Sequence, residues 1–254
     1  SWFRPVFCAG GPDGALYVCD MYRKTIEHPQ YLPESMRATT DFESGKDKGR
    51  IYRIVADQRG KNPRAKKVNL TKASVKELCA ELNHPDGWWR DTARRLLLER
   101  KDPAAIPILK AQIANRKSPT PQTHLARLAA LRTLEGLGAL ETEQVRQALL
   151  DPHPSVRAQA VQLAEPRLTN STVLTGLVQS LAEDADAGVR FQCALALGDV
   201  EDSRAIAVLA KLAVRDAGDR WTRTAALSSS GRSPDEFLKA VLNQPKNGEA
   251  VPAL

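Results

Sequence analysis

Asp186-Ala187-Gly188-Val189-Arg190, running into the small and apolar stretch Cys193-Ala194-Leu195-Ala196-Leu197, decides how this chain is read. An Asp, a short spacer and an Arg that opens an Ala- and Leu-rich helix form a phrase, and the phrase recurs. It appears as Asp86-Gly87-Trp88-Trp89-Arg90 and as Asp219-Arg220-Trp221-Thr222-Arg223. A looser version runs from Asp151 to Arg157, and a degenerate one from Pro121 to Arg127. The arginines fall at 90, 127, 157, 190 and 223, spaced 37, 30, 33 and 33 apart. Three residues after them stand Ala93, Ala130, Ala160, Cys193 and Ala226, small side chains that let neighbouring helices approach closely. Self-similarity at such a period marks a stack of like units rather than a globule.

A period near 33 accommodates two short helices and two turns per unit. The pattern predicts first helices at 74–83, 103–116, 141–150, 170–183 and 203–215. Second helices are predicted at 87–100, 122–137, 154–165, 187–198 and 220–230, and a helix at 234–243 opens a sixth unit. Ile106, Leu109 and Ile113 carry the apolar spacing of one helix face. Asp102-Pro103, Ser233-Pro234 and Asp202 supply capping acceptors at helix starts. The repeats resemble HEAT repeats of the short, PBS-lyase-like kind. The ankyrin phrase T-P-L-H-x-A is absent, and the Trp, Gly and Tyr positions of tetratricopeptide repeats are not matched. The expected fold is therefore mainly α, a HEAT-type α-solenoid of about five helix pairs over residues 73–254.

The recurrent charges read as architecture. Asp in the turn within each pair caps the free N–H groups of the second helix. Arg in that helix's first turn bridges to the Asp of a neighbouring unit. This gives a structural ladder built from Asp86, Arg90, Arg127, Asp151, Arg157, Asp186, Arg190, Asp219 and Arg223. Trp88, Trp89 and Trp221, near the same turns, read as packing wedges.

Residues 1–56 differ in character. Val6–Ala9 and Ala15–Cys19 are β-prone runs flanking Gly10-Gly11-Pro12-Asp13-Gly14, a strong hairpin signal. Gly49–Val55 reads as a third strand, after an insertion of no clear period. Three strands cannot bury a core alone, so they must complete something larger or pack on the helices. The pieces Gly11-Pro12-Asp13-Gly14-Ala15-Leu16-Tyr17-Val18, Asp20-Met21-Tyr22-Arg23, Ile26-Glu27-His28-Pro29 and Gly49-Arg50-Ile51-Tyr52-Arg53-Ile54 resemble the last blade of a β-propeller. They are similar to the large secreted membrane-bound-dehydrogenase-type proteins of planctomycete- and verrucomicrobia-like bacteria. Those proteins join a propeller like that of the glucose/sorbosone dehydrogenases to HEAT repeats and often to a c-type cytochrome domain.

That resemblance implies a propeller-to-solenoid junction: a partial blade at 1–56, a basic linker at 57–72, and the solenoid. It implies a non-catalytic scaffold that places a propeller against an electron-accepting domain, in an extracytoplasmic or periplasmic protein. The partners would be the parent's own propeller and cytochrome regions. Pyrroloquinoline quinone and haem c would belong to that parent, with no cofactor and no metal in this chain, because most blades and any Cys-x-x-Cys-His are missing. The other reading is an enzyme, a sugar or alcohol dehydrogenase whose site is completed by upstream blades. Its candidate residues lie in the insertion: Asp20, Tyr22, Arg23, Glu27 and His28 could act as base, metal ligand or anion clamp. A plainer reading pairs Arg23 with Glu27 and leaves His28 preceding a turn proline.

The net charge is +7, concentrated at Lys46, Lys48, Arg50, Arg53, Arg59, Lys61, Arg64, Lys66 and Lys67. A third reading, nucleic-acid binding, is weakened by the single aromatic in that segment, Tyr52, and by Glu141, Glu143, Glu183, Asp184 and Asp186 elsewhere. No C-x-x-C occurs. Cys79 and Cys193 sit on apolar helix faces and read as buried thiols. Cys8 and Cys19 lie opposite each other if Asp13-Gly14 is a two-residue turn, and diagonally if the loop is longer. The given sequence shows no signal peptide and no apolar run near 18 residues, so no membrane span is expected. Its opening residues already read as a run-in to a strand, as a fragment's would.

Overall fold

The computed structural model describes residues 2–55, 69–116, 123–200 and 202–244. Most of the expected linker, 57–68, lies outside them; its last residues, Leu70–Lys72, form a 3-10 turn.

Strands β1 (Pro5–Gly10), β2 (Leu16–Asp20) and β3 (Arg50–Ile54) form an antiparallel meander in that order. The hairpin closes on a loop longer than two residues. Gly14 N–H donates to Gly11 O at 3.0 Å, Gly11 N–H to Ala15 O at 2.9 Å, and Gly14 takes φ +72°, a conformation that suits glycine. The loop sets the register: Cys8 pairs with Val18, and Phe7 with Cys19. Because strand side chains alternate, Cys8 and Cys19 point to opposite faces and both are free thiols. The directly opposed pairing that a two-residue turn would give is thereby excluded.

The insertion between β2 and β3 is folded back onto the end of β2. It contains a 3-10 turn (Pro29–Tyr31) and a one-turn helix, α1 (Glu34–Arg37), that the sequence pattern did not reveal. Gly45 sits at φ +90°, and a Cβ there would strike the carbonyl of Tyr22. Lys24 N–H donates to Ser44 O, and Asp41 accepts the amides of Glu43 and Ser44.

The helices follow in pairs: α2 (Val75–Glu81) with α3 (Gly87–Arg100), α4 (Ala105–Ala114) with α5 (Thr123–Gly136), and α6 (Thr142–Leu149) with α7 (Pro154–Ala164). α8 (Thr172–Leu181) pairs with α9 (Ala187–Ala196), α10 (Ser203–Arg215) with α11 (Arg220–Ser229), and α12 (Pro234–Leu242) opens a sixth unit. The second helices α3, α5, α7, α9 and α11 pack side by side in one layer. The protein is mainly helical, with HEAT-like repeats preceded by a small sheet.

One core runs the length of the stack, and Ala93, Ala130, Ala160, Cys193 and Ala226 are all fully buried in it. Their smallness is what the close second-helix layer requires. Glycine does the same at the ends of two helices. A Cβ on Gly136 would lie 2.7 Å from Leu98 of α3, and one on Gly198 would lie 2.9 Å from the Ser229 Cα of α11.

Asp202 caps α10 as expected, accepting Arg204 N–H at 2.9 Å. Ser233 stands at the N-cap of α12, but its side chain makes no capping bond. Trp88 and Trp89 are half-buried against the core; Trp221 is 64% exposed, with Arg220 over its ring, so it is no wedge.

A polar contact joins hairpin and solenoid. Trp89 Nε1–H of α3 donates to the carbonyl of Pro12 at the hairpin tip, 3.0 Å away. His84 stacks on the same indole with centroids 5.0 Å apart, and Trp88 meets it edge-on.

Candidate functional site

Of the five candidate residues, Asp20 closes β2 and the others lie in the insertion that follows. Asp20 ends β2 and is 2% exposed; its Oδ1 accepts the amides of Arg4 at 2.8 Å and Tyr22 at 2.9 Å, while Oδ2 is buried without a hydrogen-bond partner. Tyr22 holds φ +47°, its ring flanked by Trp2 and by the Arg50 guanidinium 4.0 Å from the centroid. Arg23 donates to Phe42 O at 3.1 Å, and no ion pair joins it to Glu27 among the described residues. Glu27 is exposed. His28 Nδ1 accepts Gln30 N–H at 3.3 Å and so caps the 3-10 turn that follows. Each side chain except Glu27 thus serves the local fold. Among the described residues no group of three or more His, Cys, Asp or Glu could hold a metal ion.

The recurrent Arg and Asp build one repeated device, with a division of labour absent from the sequence reading. In four of the units the arginine clamps its own turn. Arg90 Nη1 donates to His84 O and Pro85 O, Arg157 Nη1 to Asp151 O and Pro152 O, Arg190 Nη1 to Asp184 O and Ala185 O, and Arg223 Nη1 to Ala217 O. The remaining fork then reaches the next unit. Arg127 pairs with Asp151, Arg157 with Asp184 and Arg190 with Asp216, each through Nε and Nη2 at 2.6–2.9 Å. Only a guanidinium has enough coplanar donors to do both.

Asp86, Asp186 and Asp219 are not rungs. They cap α3, α9 and α11, accepting Trp88, Val189 and Thr222 N–H, and His153 takes that place on α7. Asp184 and Asp216, unassigned from the sequence, are the rungs. The available signal was spacing: Asp151 and Asp184 stand six residues before Arg157 and Arg190, and Asp216 seven before Arg223. Position six before Arg127 is Pro121, so the first unit finds no Asp at that place in the second.

Further arginines of the stack also close helix ends. Arg100 donates to the carbonyls of Leu70, Thr71 and Ala73, Arg116 to Gln147 and Leu150, and Arg167 to Leu163 and Leu140.

Polar side chains also line open surfaces of the stack. Across the outward side of the second helices runs a polar row in which Arg132 donates to Gln162 Oε1 at 2.8 Å and Gln162 to Gln192 Oε1 at 3.0 Å. Between α8 and α10 lies a cleft of about 730 Å³ lined by Thr172, Gln179, Arg204 and Arg232. Its two arginines pair within the protein, Arg204 with Asp202 and Arg232 with Asp199. No helix among the described residues is long and apolar enough to cross a membrane.

Comparison with known proteins fits this division. No curated protein matches the chain. Residues 1–58 match a domain of unknown function, DUF7133. Residues 142–231, from α6 to just beyond α11, match the HEAT repeats, a family whose stacked helices make interaction and scaffold modules.

Proposed function

We propose that this chain is the scaffold module of a larger extracytoplasmic, periplasmic dehydrogenase, holding a propeller in place against an electron-accepting domain. One observation carries the reading. The hairpin is pinned to the first helix pair at Trp89, yet exposed apolar side chains stand on both faces of its sheet, although Val18 and Asp20 of the central strand are buried. Phe7 (64%) and Ile51 (68%) lie on one face, and Leu16 (43%) and Ile54 (52%) on the other. A sheet that wants a neighbour on each side suits a propeller blade.

In that parent, pyrroloquinoline quinone and haem c would be held by other domains. The alternative, a quinone site that includes Asp20, Tyr22, Arg23, Glu27 and His28, would need other blades to draw them together. Nucleic-acid binding is disfavoured because the recurrent arginines Arg127, Arg157 and Arg190 are committed to carboxylates. Protein partners would meet the outward face of the second helices, along the Arg132–Gln162–Gln192 row.

The test is the DNA on either side of the coding stretch. Further blade sequences upstream and a Cys-x-x-Cys-His downstream are expected. A start codon directly before Ser1 and a stop directly after Leu254 would overturn the reading, leaving a free-standing HEAT scaffold with a β-cap.

A further inference from the structure

His124, in the first turn of α5, and His153, the N-cap of α7, lie face to face across the joint between the second and third units. Their ring centroids are 3.8 Å apart and their planes within 5° of parallel. His153 Nδ1 accepts Ser155 N–H at 3.2 Å, so in the neutral ring the proton sits on Nε2. The main chain of His153 joins the adjacent rung: its N–H donates at 2.8 Å to Asp151 Oδ1, the oxygen that also receives Arg127 Nη2.

The surroundings disfavour charge on this ring. Burial, the facing His124, and the Arg127 and Arg157 guanidiniums hold the His153 imidazole below its ordinary value of 6.5, with Asp151 alone opposing them. Charged groups of the neighbouring elements are engaged elsewhere. Arg90 of α3 is turned to the carbonyls of its own turn, and Asp184 before α9 holds Arg157. Lys110 of α4 pairs with Glu141, Arg146 of α6 with Glu143, and Arg116 donates to Leu150 O.

We propose that the stacked imidazoles form a pH-sensitive joint in the solenoid, closed while His153 is neutral and loosened when it takes a proton. The proton must arrive on Nδ1, where it replaces the acceptor of Ser155 N–H with a second donor and uncaps α7. It also places a cation against the face of His124. Because the same residue's amide belongs to the Arg127–Asp151 rung, uncapping is transmitted to the contact between the units.

Hydrogen exchange on the intact chain tests this, comparing about pH 7.5 with about pH 5 after correction for intrinsic rates. The Ser155, Val156 and Arg157 amides should lose about tenfold or more in protection relative to Val189, whose cap is the carboxylate of Asp186. His153→Asn keeps a side-chain acceptor at the cap without a titrating ring; it should fold and show no such loss. Equal protection of the wild-type amides at the two pH values, or the same acid loss in H153N as in the wild type, would overturn the proposal.

Discussion

Arg127 and Asp151 meet as two matched forks, Nε to Oδ2 at 2.6 Å and Nη2 to Oδ1 at 2.9 Å, with side chains only 5% and 2% exposed. Removing one partner strands the other charge out of reach of water. Asp151→Ala should therefore cost about 3–5 kcal/mol, read from urea unfolding. Replacing both residues by apolar ones of similar size should cost much less, since a buried pair gains little net energy over a packed hydrophobic contact. If the double variant proves as unstable as the single one, the rung is more than a satisfied pair.

Acid should weaken the next rung in a predictable direction. Burial raises the Asp184 carboxyl, but the Arg157 fork and the Asp186 amide outweigh it and hold the group below its ordinary 3.8. The unfolded chain then takes up the proton first, so this contribution is complete above about pH 4 and fades as pH falls further. The stability gap between wild type and Asp184→Asn should narrow across that acid limb; a constant gap would contradict the assignment.

Trp89→Phe keeps a ring beside His84 but removes the donor to Pro12. It should cost the hairpin about 0.5–1.5 kcal/mol of local stability. The readout is faster amide exchange at Asp13 and Gly14 with little change in the helical thermal transition.

The four thiols should sort by environment. Burial pushes the Cys79 thiol up to about 11 and the Cys193 thiol up to about 12, whereas Cys8 is exposed. A thiol reagent at neutral pH should label Cys8 readily and reach Cys79 and Cys193 only on unfolding. Mass spectrometry under oxidising conditions should find no Cys8–Cys19 bridge within one molecule.

Gly198→Ala would drive a methyl group into Ser229, in a place where backbone as well as side chain must yield. Overpacking there should cost about 1–3 kcal/mol by urea unfolding. A neutral result would mean that the end of α9 can move away from α11.

The repeat was legible because helical periodicity and the Arg-to-Ala spacing are local signals that survive in one sequence. Each of the ten paired helices lies within the span its pattern predicts, apart from small differences at the ends. The rungs were not legible in the same way, because capping and bridging both ask for Asp, and which Asp does which depends on how the turn folds. The same limit applies in the sheet, where one extra loop residue put Cys8 and Cys19 on opposite faces. In the insertion, Asp20, Tyr22, Arg23 and His28 carry the residue types of a site. Their bonds to nearby backbone and rings, by contrast, follow from how the insertion folds back and not from residue type.

The rungs all run the same way along the chain, guanidinium from the earlier unit and carboxylate from the later. The solenoid therefore has a polarity that its near-identical units conceal. Peeling away late units strips carboxylates and leaves arginines that cannot shed their charge. Peeling away early units leaves aspartates, which can neutralise themselves by taking a proton. Loss of structure from the two ends is thus unequal, and acid eases it from the front of the stack far more than from the back.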